Sequence, residues 1–166
     1  MTIVFDASTL ILLAKSELLG QFLGALKMEA VVPAAVAREC MGKRSFDALA
    51  IGRLIGERKI KVVAAADRRL FERMRRDLGL GAGEADAIAL AVATEAQLVA
   101  TDDKSAINAC KLAKVPFTTA AAILTMMYER GAIDRDEAMR KLAILEREGR
   151  YKKSMISAAR ARLEAT

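Results

Sequence analysis

Three acidic side chains follow two short apolar runs of the sequence. Residues 2–5 read Thr-Ile-Val-Phe and precede Asp6, and residues 97–100 read Gln-Leu-Val-Ala and lie just before Asp102 and Asp103. Short apolar runs of this kind are typical of buried strands. The carboxyl ends of parallel strands meet at one edge of a sheet, where α/β proteins bind their ligands. We therefore expect these carboxylates to lie close together.

Three further acids lie where their side chains can reach the same edge. Glu84 and Asp86 open an apolar helix that is predicted to run to about residue 96 and to be buried. Glu39 follows Pro33 by six residues in a helix predicted over 34–41, which places it about 9 Å along the helix axis. Its side chain can lean back toward the strand ends. Because residues two apart on a helix do not share a face, Glu84 and Asp86 cannot both point straight at one ion.

Such a gathering of carboxylates predicts a site for a divalent metal ion. Crowded carboxylates repel one another, and a hard cation relieves that repulsion. Oxygen ligands without histidine or cysteine suit Mg²⁺ or Mn²⁺. These ions polarise a phosphoryl oxygen and lower the pKa of bound water, so phosphodiester hydrolysis needs no side-chain nucleophile. The sequence contains no histidine, which excludes Ser-His-Asp and Cys-His hydrolysis and histidine-ligated zinc.

The overall composition favours a nucleic acid as the partner. The chain has 166 residues and a formal net charge of +6, and a positive charge favours a polyanion. Aromatic residues make up only 4% of the chain, so few side chains are available to stack on nucleic-acid bases. Cys40 and Cys110 are expected to be buried, reduced thiols of a cytoplasmic protein. We expect neither a signal peptide nor a membrane span.

The alternation of short apolar strands with helices predicts an α/β fold with a parallel sheet. Besides the two strands above, strands are predicted over residues 29–32, 60–63 and 115–117. A first helix is predicted to begin with residues 10–13. Further helices are predicted over 16–27, 34–41, 45–57, 67–77, 84–96, 104–113 and 119–128. Two more are predicted between residues 134 and 164, broken near Gly149.

Several local expectations accompany these elements. Ser8 or Thr9 is expected to cap the first helix, unless Ser8 instead hydrogen-bonds Asp6 or a metal-bound water. Residues 78–83 are expected to form a flexible loop. The arginine-rich helix over 67–77 is expected to present a solvated face, with an ion pair between Glu72 and Arg76. The alternative is that its arginines contact phosphate groups.

Four motifs, in this order, resemble those of the PIN-domain nucleases, and in particular the VapC-like toxin ribonucleases. They read Ile-Val-Phe-Asp-Ala-Ser at 3–8, Val-Pro-Ala-Ala-Val-Ala-Arg-Glu at 32–39, Gly-Glu-Ala-Asp-Ala-Ile-Ala-Leu-Ala at 83–91 and Leu-Val-Ala-Thr-Asp-Asp at 98–103. They look like the family's opening strand with its first aspartate, its V-P-x-x-V-x-x-E helix, its acid-opened central helix and its strand ending in T-x-D. The tail, with Gly131 and Gly149, is similar to a less-studied PIN subgroup.

The resemblance implies a single PIN-like domain over residues 1–166. It implies an α/β/α sandwich with a mostly parallel central sheet over about 1–120, and C-terminal helices over about 121–166. It places the catalytic acids at Asp6, Glu39, Glu84, Asp86 and Asp103, and it assigns Asp6, Asp86 and Asp103 as ligands of Mg²⁺ or Mn²⁺. Whether Glu84 or Asp86, and Asp102 or Asp103, is the direct ligand stays open. The number of ions also stays open, because residues 104–108 offer no further acid.

The activity implied by the resemblance is metal-dependent cleavage of RNA by the toxin of a toxin–antitoxin pair. Such a toxin would act in the cytoplasm, form a homodimer and be silenced by a cognate antitoxin protein. The alternative is a catalytically silent PIN-like scaffold that binds RNA or protein. A haloacid-dehalogenase-type phosphotransferase would need a second aspartate where Ser8 stands, and we find no counterpart of a receiver domain's phospho-acceptor.

Overall fold

The short apolar runs of the sequence form one five-stranded sheet. The computed structural model describes residues 1–64 and 67–165. Its strands are β1 (Thr2–Phe5), β2 (Glu29–Pro33), β3 (Lys61–Val63), β4 (Leu98–Ala100) and β5 (Phe117–Thr118). They are ordered β3-β2-β1-β4-β5, and every pairing is parallel. The predicted parallel sheet is thus confirmed. Because β1 pairs with β4, the residues after these two strands lie at the same edge.

The connections between the strands are helical, as parallel pairing requires. The helices are α1 (Ala7–Lys15), α2 (Leu19–Ala25), α3 (Ala34–Met41), α4 (Phe46–Gly56), α5 (Arg68–Leu78), α6 (Ala82–Ala93), α7 (Lys104–Ala113), α8 (Ala120–Glu129), α9 (Arg135–Glu148) and α10 (Lys153–Glu164). Within the described ranges, each of them is too short or too polar to cross a membrane.

Alternate side chains of the central strand, β1, pack into two hydrophobic layers on opposite faces of the sheet. Ile3 and Phe5 pack with residues of α1–α4 and α8–α10, whereas Val4 packs with residues of α6 and α7. Phe71, on α5, packs against the second layer. Because successive residues of a strand point to opposite faces, helices cover both sides of the sheet. The predicted α/β/α arrangement is therefore confirmed.

Helix α6 is the most deeply buried helix around the acidic edge. All residues from Ala85 to Leu90 are buried, including the charged Asp86. Its alanines allow the helix to lie close to the sheet, where it contacts β1, β2 and β4. The prediction that this helix is buried is confirmed, and its consequence is that Asp86 is desolvated.

Three predicted boundaries near the N-terminus and the centre are wrong. The predicted helix over 16–27 is only α2, because Ser16 ends α1 and Glu17 has a positive φ of 56° that turns the chain. The central helix stops at Ala93, and Glu95 turns the chain in the same way with a φ of 49°. The loop predicted over 78–83 spans only residues 79–81, since Gly79 ends α5 in the left-handed conformation and α6 begins at Ala82.

Caps and surface pairs also differ in part from expectation. The N-cap of α1 is Asp6 rather than Ser8 or Thr9. Ser45 occupies the N-cap position of α4, but its hydroxyl makes no capping hydrogen bond. Helix α5 has no buried residue, as expected of a solvated face. Its ion pairs are Arg68–Glu72 and Arg76–Asp77, however, not Glu72–Arg76.

The C-terminal helices pack on the same core as the N-terminal half of the chain. The predicted break near Gly149 is confirmed, because α9 ends at Glu148 and α10 begins at Lys153. The buried Lys141 of α9 donates hydrogen bonds to the carbonyl oxygens of Ser16 and Glu17, both at 3.0 Å. These bonds satisfy carbonyl oxygens at the buried C-terminal end of α1. The division of the chain near residue 120 stays a prediction.

Candidate functional site

Asp6 is a buried carboxylate held by three donors. Its Oδ1 accepts from the backbone N–H of Ala7 at 2.7 Å, and its Oδ2 accepts from the hydroxyls of Thr101 at 2.8 Å and Ser8 at 2.9 Å. The residue is only 3% exposed. Burial raises the pKa of Asp6 to about 6, although these hydrogen bonds oppose the rise, and the negative charge of Glu84 adds to it. Asp6 is thus fixed in position but costly to ionise.

The raised pKa of Asp6 predicts how the stability of the metal-free protein depends on pH. An acid whose pKa is higher in the folded state stabilises that state at low pH, and this contribution is lost as pH rises through the folded pKa. The loss should occur between about pH 4 and about pH 6, because the ordinary value is 3.8 and the folded value about 6.

The measurement is the free energy of unfolding in denaturant, with chelator present, for wild type and Asp6→Asn. The stability of the variant relative to wild type should rise by up to about 3 kcal/mol across this range, at 1.36 kcal/mol per pKa unit. A difference that does not change with pH would show that Asp6 is not desolvated.

Thr101 connects Asp6 to Asp103. The fully buried Thr101 hydroxyl donates to Asp6 and accepts from the backbone N–H of Asp103 at 3.2 Å. The Asp103 Oδ1 atom caps α7 by accepting from the N–H of Ala106 at 2.9 Å. Its Oδ2 atom accepts no hydrogen bond from the described residues, so one oxygen of Asp103 remains open for a ligand.

Asp102 has both carboxylate oxygens occupied. Its Oδ2 accepts from the Thr9 hydroxyl at 2.5 Å and from the N–H of Ala120 at 2.9 Å, and its Oδ1 accepts from the Tyr151 hydroxyl. Its own N–H donates to the Ser8 hydroxyl at 2.9 Å. Burial raises the pKa of Asp102, and these donors oppose the rise. Of the two neighbouring aspartates, Asp103 therefore has the freer carboxylate.

Glu84 and Asp86 have different surroundings, although both lie in the first turns of α6. The Glu84 Oε2 atom accepts from the N–H of Gly81 at 2.5 Å, which is half of a capping box because Gly81 has no side chain to return the bond. Asp86 is 6% exposed, and no hydrogen bond from the described residues reaches its carboxylate, whose oxygens keep contact with solvent. Burial raises the pKa of Asp86, and the positive charge of Arg38 offsets part of the rise. Asp86 is therefore costly to ionise, yet its carboxylate stays open to a ligand.

Glu39 reaches the start of α6 because a glycine lies opposite it. The side chain of Glu39 is exposed, and its Oε2 atom lies 2.9 Å from where a Cβ atom on Gly83 would stand. Val36 would lie 3.6 Å from the same atom. Gly83 therefore permits the close approach of α3 to α6, and it brings the Glu39 carboxylate beside the helix that carries Asp86.

The predicted acids lie at one edge of the sheet, but their side chains do not form a complete metal-binding site. Asp6 and Asp103 share Thr101, Glu84 and Asp86 lie in the first turns of α6, and Glu39 lies beside Gly83 of the same helix. Within residues 1–64 and 67–165, no three acidic or cysteine side chains are close enough together to hold a metal ion as they stand. Closing such a site would require side-chain rotation. The assignment of Asp6, Glu39, Glu84, Asp86 and Asp103 as catalytic residues stays a prediction.

Three residues that contact these acids, and Arg38, whose charge acts on Asp86, were not predicted. Thr101 belongs to the T-x-D motif, which could have indicated it, and Arg38 directly precedes Glu39. Thr9 and Tyr151 reach Asp102 from 93 and 49 residues away in sequence. No local pattern indicates such contacts. The alternative in which Ser8 hydrogen-bonds Asp6 is confirmed.

The fold and the acidic edge together define a parallel α/β protein of the kind that binds ligands beyond its strand ends. A family model described as a PIN domain matches residues 2–164, so the chain belongs to the PIN-domain family. PIN domains are generally nucleases and typically use divalent metal ions. A comparison with curated proteins gave no significant match.

Proposed function

We propose that this protein is a metal-dependent endoribonuclease that hydrolyses RNA phosphodiester bonds. The observation that carries the proposal is the largely buried Asp86, whose carboxylate has no hydrogen-bond donor among the described residues and still reaches solvent, so that an ion can approach it. Desolvation without a partner is unfavourable for an ionised acid, and a cation is the partner that best removes the cost. Asp86 lies on the same edge of the sheet as Asp6 and the open oxygen of Asp103.

The donor set fits Mg²⁺ or Mn²⁺. The three proposed ligands, Asp6, Asp86 and Asp103, offer only carboxylate oxygens, which hard divalent ions prefer. The chain has no histidine, and both cysteines are buried and free, as predicted. When bound, the ion would polarise a phosphoryl oxygen and lower the pKa of a water molecule.

The side chains around the proposed ligands have distinct tasks. Ser8 and Thr101 hold the Asp6 carboxylate in one orientation, so that it is ready to coordinate without losing conformational freedom at that moment. Glu39, exposed beside Gly83, is placed to accept a proton from an attacking water. Glu84 fixes the start of α6 through its capping bond and adds negative charge near Asp6.

The positive charge of the protein supports a nucleic acid as substrate. Helix α5 carries five arginines within nine residues, and only residues 79–81 separate it from α6, which carries Asp86. Of these arginines, Arg69, Arg73 and Arg75 form no ion pair with the described residues, and Arg75 lies over the Phe71 ring. Exposed arginines bind phosphate groups without reading base sequence. Arg38, whose charge acts on Asp86, is the cation best placed to meet a phosphate near the acids.

The proposal includes the role of a toxin, taken from the resemblance to VapC-like ribonucleases. Such a protein would act in the cytoplasm as a homodimer and would be silenced by a cognate antitoxin. Support for a protein partner comes from α4, where Phe46 is 62% exposed and Leu49 is 73% exposed. Neighbouring large apolar side chains on a surface commonly mark a binding face.

Wild-type protein should cleave RNA only when a divalent ion is present. With a fluorescent RNA substrate, MnCl₂ or MgCl₂ should start cleavage, chelator should stop it, and added Mn²⁺ should restore it. DNA of the same sequence serves as the control for substrate class. Cleavage that survives chelation, or no cleavage of any RNA in a broad mixture, would contradict the proposed activity and favour a silent binding scaffold.

A further inference from the structure

Tyr151 connects the C-terminal helices to the loop that carries Asp103. It lies between α9 and α10, and its hydroxyl donates to the Asp102 Oδ1 atom while accepting from the N–H of Ala121 at 3.2 Å. The first two N–H groups of α8 thus have separate acceptors: Ala120 donates to the Asp102 carboxylate, and Ala121 donates to the Tyr151 hydroxyl. A carboxylate at a helix N-terminus is favourably placed with respect to the helix dipole.

The position of the Tyr151 ring depends on a glycine. A Cβ atom on Gly149 would lie 2.8 Å from the ring carbons Cδ2 and Cε2 of Tyr151 and 2.7 Å from the backbone oxygen of Leu145. Gly149 has a φ of −91°, which any residue can adopt. Gly149 is therefore required for space beside the aromatic ring and the Leu145 oxygen, and not for a left-handed backbone.

Asp102 links Tyr151 to two of the proposed metal ligands, Asp6 and Asp103. The N–H of Asp102 donates to the Ser8 hydroxyl, which in turn donates to Asp6. In the chain, Asp102 is flanked by Thr101 and Asp103. Thr101 donates a hydrogen bond to Asp6. Its carboxylate is held by Thr9, Ala120 and Tyr151, which belong to three separate segments. Movement of Asp102 would displace groups that orient Asp6 and Asp103.

We infer that Tyr151 is a positioning residue for the proposed metal site, acting through Asp102. The inference rests on the proposed function, because it concerns how well the same carboxylates hold an ion. Without the hydroxyl, Asp102 Oδ1 loses its donor, and the charged group must turn toward water. Outer partners of metal ligands commonly change metal affinity or activity by about 10- to 100-fold when removed.

The test compares wild type with Tyr151→Phe, which keeps the ring beside Gly149 and removes only the hydroxyl. Two quantities are measured: the Mn²⁺ concentration that gives half of the metal-induced rise in Tm, and the kcat and KM for RNA. We expect the half-saturating Mn²⁺ concentration to rise about tenfold. The kcat at limiting Mn²⁺ should fall, while the KM for RNA stays unchanged.

Ser16→Ala is the matched control, because it removes another buried hydroxyl hydrogen bond, from Ser16 to the Leu13 carbonyl oxygen, at the end of α1 remote from Asp6. Its Mn²⁺ affinity should equal that of wild type. A Tyr151→Phe variant with a lower Tm but wild-type Mn²⁺ affinity and kcat would overturn the inference and leave the proposed function standing. Absence of any Mn²⁺ response in wild type would instead overturn the proposed function, and the inference with it.

Discussion

Asp6→Asn is expected to reduce Mn²⁺-dependent RNA cleavage by more than about 100-fold, because loss of a direct ligand should exceed the effect of losing an outer partner. The substitution keeps the size of the side chain, and the hydroxyls of Ser8 and Thr101 can turn to accept from the new amide. The fold should therefore persist. The measurement is kcat/KM for a fluorescent RNA at saturating Mn²⁺, with circular dichroism to check folding.

Asp136→Asn is the matched control for this prediction. Asp136 is exposed in the first turn of α9, beside Glu137, which contacts Gln21 of α2. The substitution therefore removes one negative charge at a position away from the acidic edge. The variant should cleave RNA like wild type. If Asp6→Asn cleaved as fast as wild type, the activity would belong to another site or to a contaminating nuclease.

Asp86→Asn is expected to stabilise the metal-free protein while abolishing its response to metal. The pKa of Asp86 is raised by burial, so the stabilising contribution of this acid is lost as pH rises through its folded pKa. In chelator at about pH 8, removing this largely buried charge should increase the free energy of unfolding, by no more than about 1 kcal/mol because the carboxylate keeps contact with solvent. Added Mn²⁺ should then no longer raise Tm.

Thermal melts with chelator and with Mn²⁺ check this prediction, and Asp77→Asn provides the comparison. Asp77 is exposed at the end of α5 and pairs with Arg76. Its variant should keep the Mn²⁺-induced rise in Tm. A destabilised Asp86→Asn protein that still responds fully to Mn²⁺ would mean that Asp86 is a structural acid and not a ligand.

The sheet edge was predictable from the sequence because it depends on local patterns and on one rule of topology. The apolar runs before Asp6 and Asp102 indicate strands, and parallel strands place their carboxyl ends at the same edge. The pairing of β1 with β4 then brings these acids together. The burial of α6 was also predictable, because alanine and larger aliphatic residues surround that helix on nearly every side.

The environment of each acid was not predictable, because it depends on side chains from distant segments. Asp102 and Asp103 are adjacent and chemically identical in sequence, yet Thr9, Ala120 and Tyr151 occupy the first and leave an oxygen of the second open. Glu84 and Asp86 differ in the same way, since only Glu84 reaches the N–H of Gly81. The wrong helix boundaries at Glu17 and Glu95 have a local cause, since both are left-handed residues other than glycine.

The most direct test of the account is a crystal of the wild-type protein soaked in MnCl₂ and measured at the manganese absorption edge. The account predicts an anomalous peak at the edge of the sheet, coordinated by oxygens of Asp6, Asp86 and Asp103, with Asp102 still bound to Tyr151. A crystal that shows no peak there at saturating Mn²⁺, or a peak held by other residues, would contradict the proposal that these acids form a metal centre.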